Sequence, residues 1–249
     1  MGPGALALAA LVIVLAYAVY GLTGFGSTVI ALPVLAQLLP LKFAVPLLML
    51  LDVCAFALSG ARFRHRIEYR EIGWLIPFIL AGMAVGLTLL IQVAEHKLLV
   101  LLGAFLLLYA GYGLSRRGAP LPLARAWCAP IGLAGGALAA LFGTGGVLFA
   151  IYNAGRIADK DALRATNAAM ILLSSGIRVV LFAATGLLSQ DGLFGAVLLL
   201  LPAVFGGVWL GNRLHAAVPA AAVVKAVYAV LVIVGLLLLA RSLPVLFAL

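Results

Sequence analysis

Two glycine-rich segments interrupt apolar stretches of this sequence and carry residue types suited to binding chemistry. The first holds Gly24, Phe25, Gly26, Ser27 and Thr28, and the second holds Gly143, Thr144, Gly145 and Gly146. Glycine lets a helix stop without steric cost, and the next helix begins with unpaired N–H groups and the positive end of its dipole. Two such helix starts, with hydroxyl donors beside them, predict a site for the oxygen atoms of a small anion. A packing kink in each helix is the alternative interpretation.

Ionisable residues inside apolar stretches form a second group of candidates. Asp52 lies near the middle of segment 42–60, Arg178 lies deep in 162–186, and Lys225 lies in the first third of 218–241. Because a buried charge is costly in hydrocarbon, such residues are usually functional or paired. We predict that Arg178 binds the anion and that Asp52 takes up a coupling proton or pairs with Arg178. A structural ion pair is the alternative for both, and snorkelling to the membrane surface is the alternative for Lys225.

Polar residues near Arg178 recur at helical spacing. Positions 167, 171, 174 and 178 share one helix face, which predicts that Asn167 and its polar neighbours Thr166, Ser174 and Ser175 line the same cavity. Hydrogen bonding between helices is an equally compatible interpretation.

No cofactor or metal is predicted. Cys54 and Cys128 form no CxxC motif, and His65, His96 and His215 all lie at segment ends, where solvated side chains are expected.

Composition assigns these residues to a membrane protein. Of the 249 residues, 66% are apolar and 9% are charged, and the mean hydropathy is +1.29. Soluble domains do not reach these values, so the lipid bilayer is the expected surrounding. The net charge of +9 comes from basic residues in short loops, which is typical of membrane topology signals. Nucleic acid is therefore not an expected partner.

The apolar pattern predicts an all-α polytopic fold in two halves. Residues 1–115 form the first half, 116–126 a linker and 127–249 the second half. The predicted segments are 4–22, 26–39, 42–60, 72–93, 95–114, 127–142, 145–157, 162–186, 191–212 and 218–241. Segments 26–39 and 145–157 are too short for an ordinary span, so they are half-spans, re-entrant helices or short crossings.

Loop charges favour the interpretation in which both short segments change sides. One face then collects Arg62, Arg64, Arg66, Arg70, Arg116, Arg117, Arg125, Arg156, Lys160, Arg164 and Arg213, and the other collects Lys42, Lys97 and Arg241. This division is 11 against 3, whereas the alternative gives 8 against 6. Basic residues concentrate on the cytoplasmic side, so we predict an inner-membrane protein with a cytoplasmic linker and both termini outside.

A repeated pattern supports the two halves. Pro77, Gly82 and Gly86 form P-x4-G-x3-G, and the same pattern recurs in the fourth segment of the second half at 202, 207 and 211. Close helix packing is the favoured interpretation of the pattern, and a binding role is the alternative. Because each half has an odd number of segments, the second half must enter from the opposite face. The sequence therefore predicts inverted repeats with a site between them.

The two segments GFGSTVIALPVLAQLLPLKFAV and GTGGVLFAIYNAGRIADKDALRATN, with the paired P-x4-G-x3-G, resemble the TauE/SafE family of sulfite exporters over almost the whole chain. The resemblance implies a secondary carrier of sulfite, sulfonates or related sulfur-containing anions, without a nucleotide-binding subunit. Two positions differ from the usual family pattern. Tyr152 replaces the proline that matches Pro33, and Ser27 stands where a third glycine is common.

Secondary transport of a small anion by alternating access explains the duplication, the paired breaks and the sparse buried charge together. The sequence has no Walker motif, so a proton or ion gradient is the expected energy source. One alternative is an intramembrane enzyme resembling a serine protease, although the sequence has no G-x-S-x-G motif. The other is a non-transporting anchoring subunit, which would not need two breaks in register. We predict that the protein is not an enzyme.

Overall fold

The computed structural model describes residues 3–23, 26–59, 66–115, 122–214 and 220–247, and these residues form helices and short connections without strands. Predictions for Gly24, Phe25, His65, His215 and residues 116–121 lie outside this part of the chain. The described helices are α1 (Pro3–Thr23), α2 (Ser27–Leu35), α3 (Leu41–Ser59), α4 (Tyr69–Gln92), α5 (Glu95–Ser115), α6 (Cys128–Phe142), α7 (Gly146–Ala154), α8 (Lys160–Ala184), α9 (Leu193–Leu214) and α10 (Ala220–Phe247). Each predicted segment corresponds to one of them.

Five stretches are long and apolar enough to cross a membrane: α4, α5, residues 125–142, α8 and α9. Shorter apolar stretches cover Leu6–Leu22 in α1 and Ala226–Ser242 in α10. Large apolar side chains are exposed on these helices, as at Leu108 and Val180, where a soluble protein would place polar residues. The fold is therefore that of a multi-pass membrane protein.

Helices from the two halves pack against each other in matching pairs. Helix α4 packs on α6 and α9 packs on α1, so the fourth helix of each half covers the first helix of the other. The two fifth helices, α5 and α10, pack together. Exchanging the halves leaves these pairings unchanged.

The P-x4-G-x3-G glycines lie in the first two of these contacts. A Cβ atom on Gly82 would lie 2.1 Å from the carbonyl oxygen of Leu133 in α6. On Gly211 it would lie 2.1 Å from the carbonyl oxygen of Ala18 in α1. Both distances are far below van der Waals contact, so only glycine permits these approaches. The packing interpretation of the repeated pattern is confirmed.

Helices α6 and α7 form a hairpin that returns to its starting point. Just before α6, the Leu123 N–H donates to the Gly155 carbonyl oxygen at 3.0 Å, and the Arg156 guanidinium donates to the Leu123 carbonyl oxygen at 3.2 Å. The end of α7 therefore lies beside the residues that precede α6. We call this end of the bundle the arginine-rich end, since Arg66, Arg125 and Arg156 lie there.

Helices α1 and α2 form the corresponding hairpin at the opposite end. Helix α1 runs in the same direction as α9, because Val14 lies beside Gly207 and Ala18 lies beside Gly211. Helix α9 begins near Lys42, whose carbonyl oxygen accepts from Gln190 at 2.8 Å. Helix α1 therefore begins at the end where α3 begins, and α2 returns the chain to it.

The two short helices begin in the interior, not at either end of the bundle. Ser27, the first residue of α2, hydrogen-bonds Asp52, which lies near the middle of α3. The prediction that both short segments change sides is therefore wrong: α2 and α7 have nine residues each and are half-spans. Among the described residues, Arg66, Arg125 and Arg156 lie at one end of the bundle and Lys42 lies at the other, because each hairpin returns the chain to the end from which it started.

Candidate functional site

The two glycine breaks meet inside the molecule. Gly143 ends α6 with φ 71°, and a Cβ atom there would lie 2.7 Å from the Thr28 methyl carbon and 3.1 Å from Nη1 of Arg178. Gly26 precedes α2 with φ 94°. Both glycines adopt the left-handed conformation that other residues rarely take. The start of α2 and the break before α7 are therefore in direct contact.

A small cavity lies at this meeting point, with a volume of about 50 Å³. Its lining residues are Tyr20, Gly26, Ser27, Thr28, Val29, Asp52, Gly143, Thr144, Gly146, Val147, Ile171, Ser174, Ser175 and Arg178. One water molecule needs roughly 10–15 Å³ measured in this way, and an engineered cavity that holds benzene has about 150 Å³. The cavity is therefore larger than one water molecule needs and smaller than a cavity that holds benzene.

Arg178 brings an unpaired positive charge to this cavity. Its side chain is 3% exposed, and its Nε and Nη2 atoms are buried without a hydrogen-bond partner. The ion pairs within 4 Å among the described residues lie at the arginine-rich end, and none includes Arg178. A buried guanidinium is costly unless it is paired, and Arg178 therefore leaves two buried donors that lack an acceptor at this cavity.

Thr144, which lies between the end of α6 and the start of α7, adds a second unpaired donor. The residue is 1% exposed, and its Oγ1 atom is buried without a partner. The first N–H groups of α7 follow directly, and a helix start favours negative charge. Thr144 and Arg178 thus bring unpaired donors to one small space beside the start of α7.

Asp52, unlike Arg178 and Thr144, has hydrogen-bond partners for its charged group. Its carboxylate accepts from the hydroxyls of Tyr17 at 2.7 Å, Ser27 at 2.8 Å and Thr28 at 2.5 Å. Asp52 is 6% exposed and lines the cavity with Arg178. The predicted alternative of an Asp52–Arg178 ion pair is not what the structure shows, since the carboxylate is held by hydroxyl groups.

The structure brings most of the predicted site residues together, and the three exceptions among those it describes are Gly145, Asn167 and Thr166. Gly145 packs against α6, where a Cβ atom would lie 2.1 Å from the Gly135 carbonyl oxygen. Asn167 accepts a hydrogen bond from buried Asn153 at 2.7 Å, outside the cavity. Its face of α8 was predicted correctly, since Ser174 and Arg178 do line the cavity, but Asn167 lies closer to the arginine-rich end.

Other polar residues were missed or lie elsewhere. Thr166 accepts from the Glu68 N–H at 3.0 Å, which places it at the arginine-rich end. Tyr17 and Tyr20 were not predicted, and Tyr17 is fully buried. A tyrosine within an apolar helix is common at membrane surfaces, so its type gave no signal of a buried role. The role of Tyr17 follows only from its contact with Asp52.

A second polar cluster holds the arginine-rich end of the α6–α7 hairpin. The Glu71 carboxylate accepts from the Tyr152 hydroxyl at 2.9 Å and from Arg156 at 3.1 Å, and it lies 3.7 Å from Arg125. The pKa of Arg156 is raised, chiefly by its hydrogen bond to Glu71. This cluster could not be predicted from the sequence, because its members are far apart in the chain. It attaches the end of α7 to α4.

Comparisons with known proteins identify the family of this chain. The model of the sulfite exporter family TauE/SafE matches residues 9–238. The chain is also similar to the probable inner membrane transporter protein TsaS of Comamonas testosteroni, with 30% identity over 195 residues, which are 76% of this chain and 80% of that protein. No solved structure matches the chain significantly. The chain therefore belongs to the TauE/SafE sulfite exporter family of membrane transporters.

Proposed function

We propose that this protein is a secondary transporter that binds a small anion in the cavity between α2, α7 and α8. One observation carries the proposal: Nε and Nη2 of Arg178 and Oγ1 of Thr144 are buried donors without acceptors beside a cavity of about 50 Å³. Unpaired buried polar groups are rare in folded proteins and call for an explanation. An anion with several acceptor oxygens would pair all three donors.

The substrate class that fits best is a small sulfur oxyanion, such as sulfite or a short sulfonate. Arginine binds such groups well, because its planar fork of N–H donors matches two oxygens at once. The family name supports sulfite. The cavity volume favours a compact anion over a sulfonate with an aromatic ring.

The pairing of helices across the halves supports alternating access between inverted repeats. Each hairpin contributes one break to the site, and the two hairpins return to opposite ends of the bundle. The α6–α7 hairpin with α4 would move against the α1–α2 hairpin with α9. This movement would open the cavity first toward one end of the bundle and then toward the opposite end. The arginine-rich end is proposed to face the cytoplasm of an inner membrane, with both termini outside.

The test is current measured on solid-supported membranes that carry the purified protein, with sulfite, sulfate, thiosulfate, short sulfonates and carboxylates. We expect currents for sulfur oxyanions and none for large carboxylates. Arg178→Gln should reduce anion affinity by roughly 30-fold or more, since losing one partner of a buried charge pair costs about 2–5 kcal/mol.

Arg213→Gln is the matched control. It also removes one guanidinium, but Arg213 is exposed at the end of α9, where it lies 5.0 Å from the Trp209 ring centre. This variant should keep the wild-type affinity. Absence of current for every anion, or equal loss in both variants, would reject the proposal.

A further inference from the structure

Asp52 presents a contradiction if the cavity binds an anion. Its carboxylate lines the same cavity as Arg178. Asp52 is the only acidic residue among the lining residues. In a buried site of low dielectric constant, an ionised carboxylate repels a bound anion strongly. Anion binding is therefore favoured only when the negative charge of Asp52 is removed or screened.

The hydroxyl groups around Asp52 also disfavour a bound anion while Asp52 is ionised, because of the direction of their hydrogen bonds. Ser27 and Thr28 both line the cavity, and both donate to Asp52. A hydroxyl has one hydrogen, so while it donates to the carboxylate it offers only lone pairs to the cavity. Two hydroxyls beside the anion site are thus acceptors toward it as long as Asp52 is ionised.

Protonation of Asp52 reverses both effects at once. The carboxyl group loses its charge and gains a hydrogen of its own to donate. Ser27 or Thr28 can then accept from the carboxyl group and turn its own hydrogen into the cavity. Asp52, Ser27 and Thr28 then no longer repel an anion in the cavity and instead donate hydrogen bonds to it.

The other titratable groups near Asp52 do not offer this change. Helix α1 presents the phenols of Tyr17 and Tyr20, α8 presents Arg178, and α3 itself carries Cys54 two residues away. Helix α2 contributes only hydroxyls to this contact, and the one charged residue of α9 is Arg213 in its last turn. Phenols, thiols and guanidinium groups hold their protons more tightly than a carboxyl group. Asp52 is the one carboxyl group in this set.

We infer that Asp52 is the binding site for a proton that enters the cavity together with the anion, so that the protein is a proton–anion cotransporter. This inference rests on the proposed function. The stoichiometry is one proton per anion, because Asp52 is the one carboxylate in the lining and the matching position in the second half is Ile171. Because coupling free energies are reciprocal, bound anion raises the affinity for the proton by the same factor as bound proton raises the affinity for the anion.

The first experiment is calorimetric titration of the full-length protein in detergent with thiosulfate, sulfate and methanesulfonate, whose charges stay constant between about pH 5 and pH 9. We expect affinity to fall with rising pH, toward about tenfold per pH unit for one linked proton. Titrations in buffers with different ionisation enthalpies should show uptake of about one proton per anion in the upper part of that range.

Asp52→Asn is the decisive variant, because asparagine is a neutral group of similar shape that both donates and accepts. It should bind the anion at high pH about as tightly as the wild type does at low pH, with no proton uptake. Asp191→Asn is the matched control, since Asp191 is exposed in the connection between α8 and α9. That variant should keep the wild-type pH dependence.

Thr28→Val checks the part played by the hydroxyl. Valine keeps the methyl group that contacts Gly143, so the loss of one donor is the main change. Affinity should fall roughly threefold to tenfold at low pH, the loss of about one hydrogen bond, and should change little at high pH.

Three outcomes would overturn the inference. Anion binding without pH dependence in the wild type would reject proton coupling while leaving anion transport intact. Pronounced dependence on sodium at constant pH would assign the Asp52 site to a metal cation instead. Absence of binding for all three anions at every pH would reject the anion site itself, and the coupling with it.

Discussion

At the start of α2, the hydroxyls of Ser27 and Thr28 face the carboxylate of Asp52, whereas at the start of α7 the matching residues are Gly146 and Val147. Aligning the breaks on Gly24 and Gly143 places Ile171 opposite Asp52. The contact is also conserved in space, since a Cβ atom on Gly146 would lie 3.2 Å from the Ile171 side chain. The two hairpins thus share a backbone arrangement and differ in the polarity of the same contact.

The outer ends of the hairpins differ as well. Arg156, just after α7, is bound to Glu71 in α4 at 3.1 Å. The matching residue after α2 is Gln37, whose side chain donates back to the Pro33 carbonyl oxygen at 3.3 Å. The charged contact of the second hairpin therefore lies at its outer end, whereas the first hairpin contacts a charged residue at the centre, Asp52 of α3. This comparison teaches that two hairpins with similar backbone breaks can make their polar contacts at different depths of the bundle.

The largest expected effect comes from placing a carboxylate at Ile171 of α8, the position that matches Asp52 of α3. Ile171→Asp places a second carboxylate in the cavity without the hydroxyl donors that surround Asp52. We expect anion affinity to fall by about a hundredfold or more, corresponding to roughly 3 kcal/mol for a buried unpaired charge. Calorimetric titration of the anion measures it. Ile171→Asn is the neutral control, and equal losses in both variants would show that shape, not charge, decides.

The next effect tests whether the two halves pack alike. Gly82→Ala and Gly211→Ala each bring a Cβ atom to 2.1 Å from a carbonyl oxygen of the other half. Both should lose similar stability, about 3 kcal/mol, because the packed backbones must separate. Thermal unfolding in detergent gives the comparison. Gly73→Ala and Gly206→Ala are matched controls on the same two helices, since nothing lies within 4 Å of either position. A large loss in only one half would break the proposed equivalence.

A smaller effect is expected at the outer end of the second hairpin. Glu71→Gln should cost about 2 kcal/mol of stability, less than a fully buried ion pair, because Arg156 and Arg125 are 24% and 37% exposed. Thermal unfolding measures the loss, and anion affinity in the folded protein should stay near the wild-type value. Asp161→Asn, which breaks the exposed pair with Arg66, should cost less than about 0.5 kcal/mol. Loss of anion affinity in Glu71→Gln would assign this cluster to the site.

The smallest effect is expected at Gly26 and Gly143, the two glycines of the breaks that have a left-handed backbone conformation. Gly26→Ala should cost roughly 1–2 kcal/mol of stability from backbone strain alone, since nothing lies within 4 Å of its Cβ position. Gly143→Ala adds contacts with Thr28 and Arg178 and should also weaken anion binding. Unfolding and titration of the two variants side by side check this difference. Equal effects on binding would show that the Gly143 contact is unimportant.

Much of the helical organisation could be predicted from the sequence. Apolar segments with glycine, proline and charge between them locate helices within a few residues, because lipid leaves no other partner for the backbone. The paired breaks also lie in contact with each other, at Thr28 and Gly143, and their role as a binding site stays a prediction. The Glu71 cluster could not be predicted, because ion pairs between distant residues depend on which helices become neighbours. Asn167 was assigned to the right helix face but to the wrong depth, since a helical repeat gives direction around an axis and not height in the bundle.

The sequence by itself determined that this chain is a multi-pass membrane protein, that two glycine breaks interrupt its apolar stretches, and that few charged residues lie within those stretches. These properties follow from composition and local pattern, which act along the chain. The tertiary structure alone decided that Asp52 accepts from three hydroxyls while Arg178 keeps unpaired donors. Both residues are buried charges in apolar segments, so sequence treats them alike. The side chains that surround each one give them opposite properties, and those neighbours come from other helices.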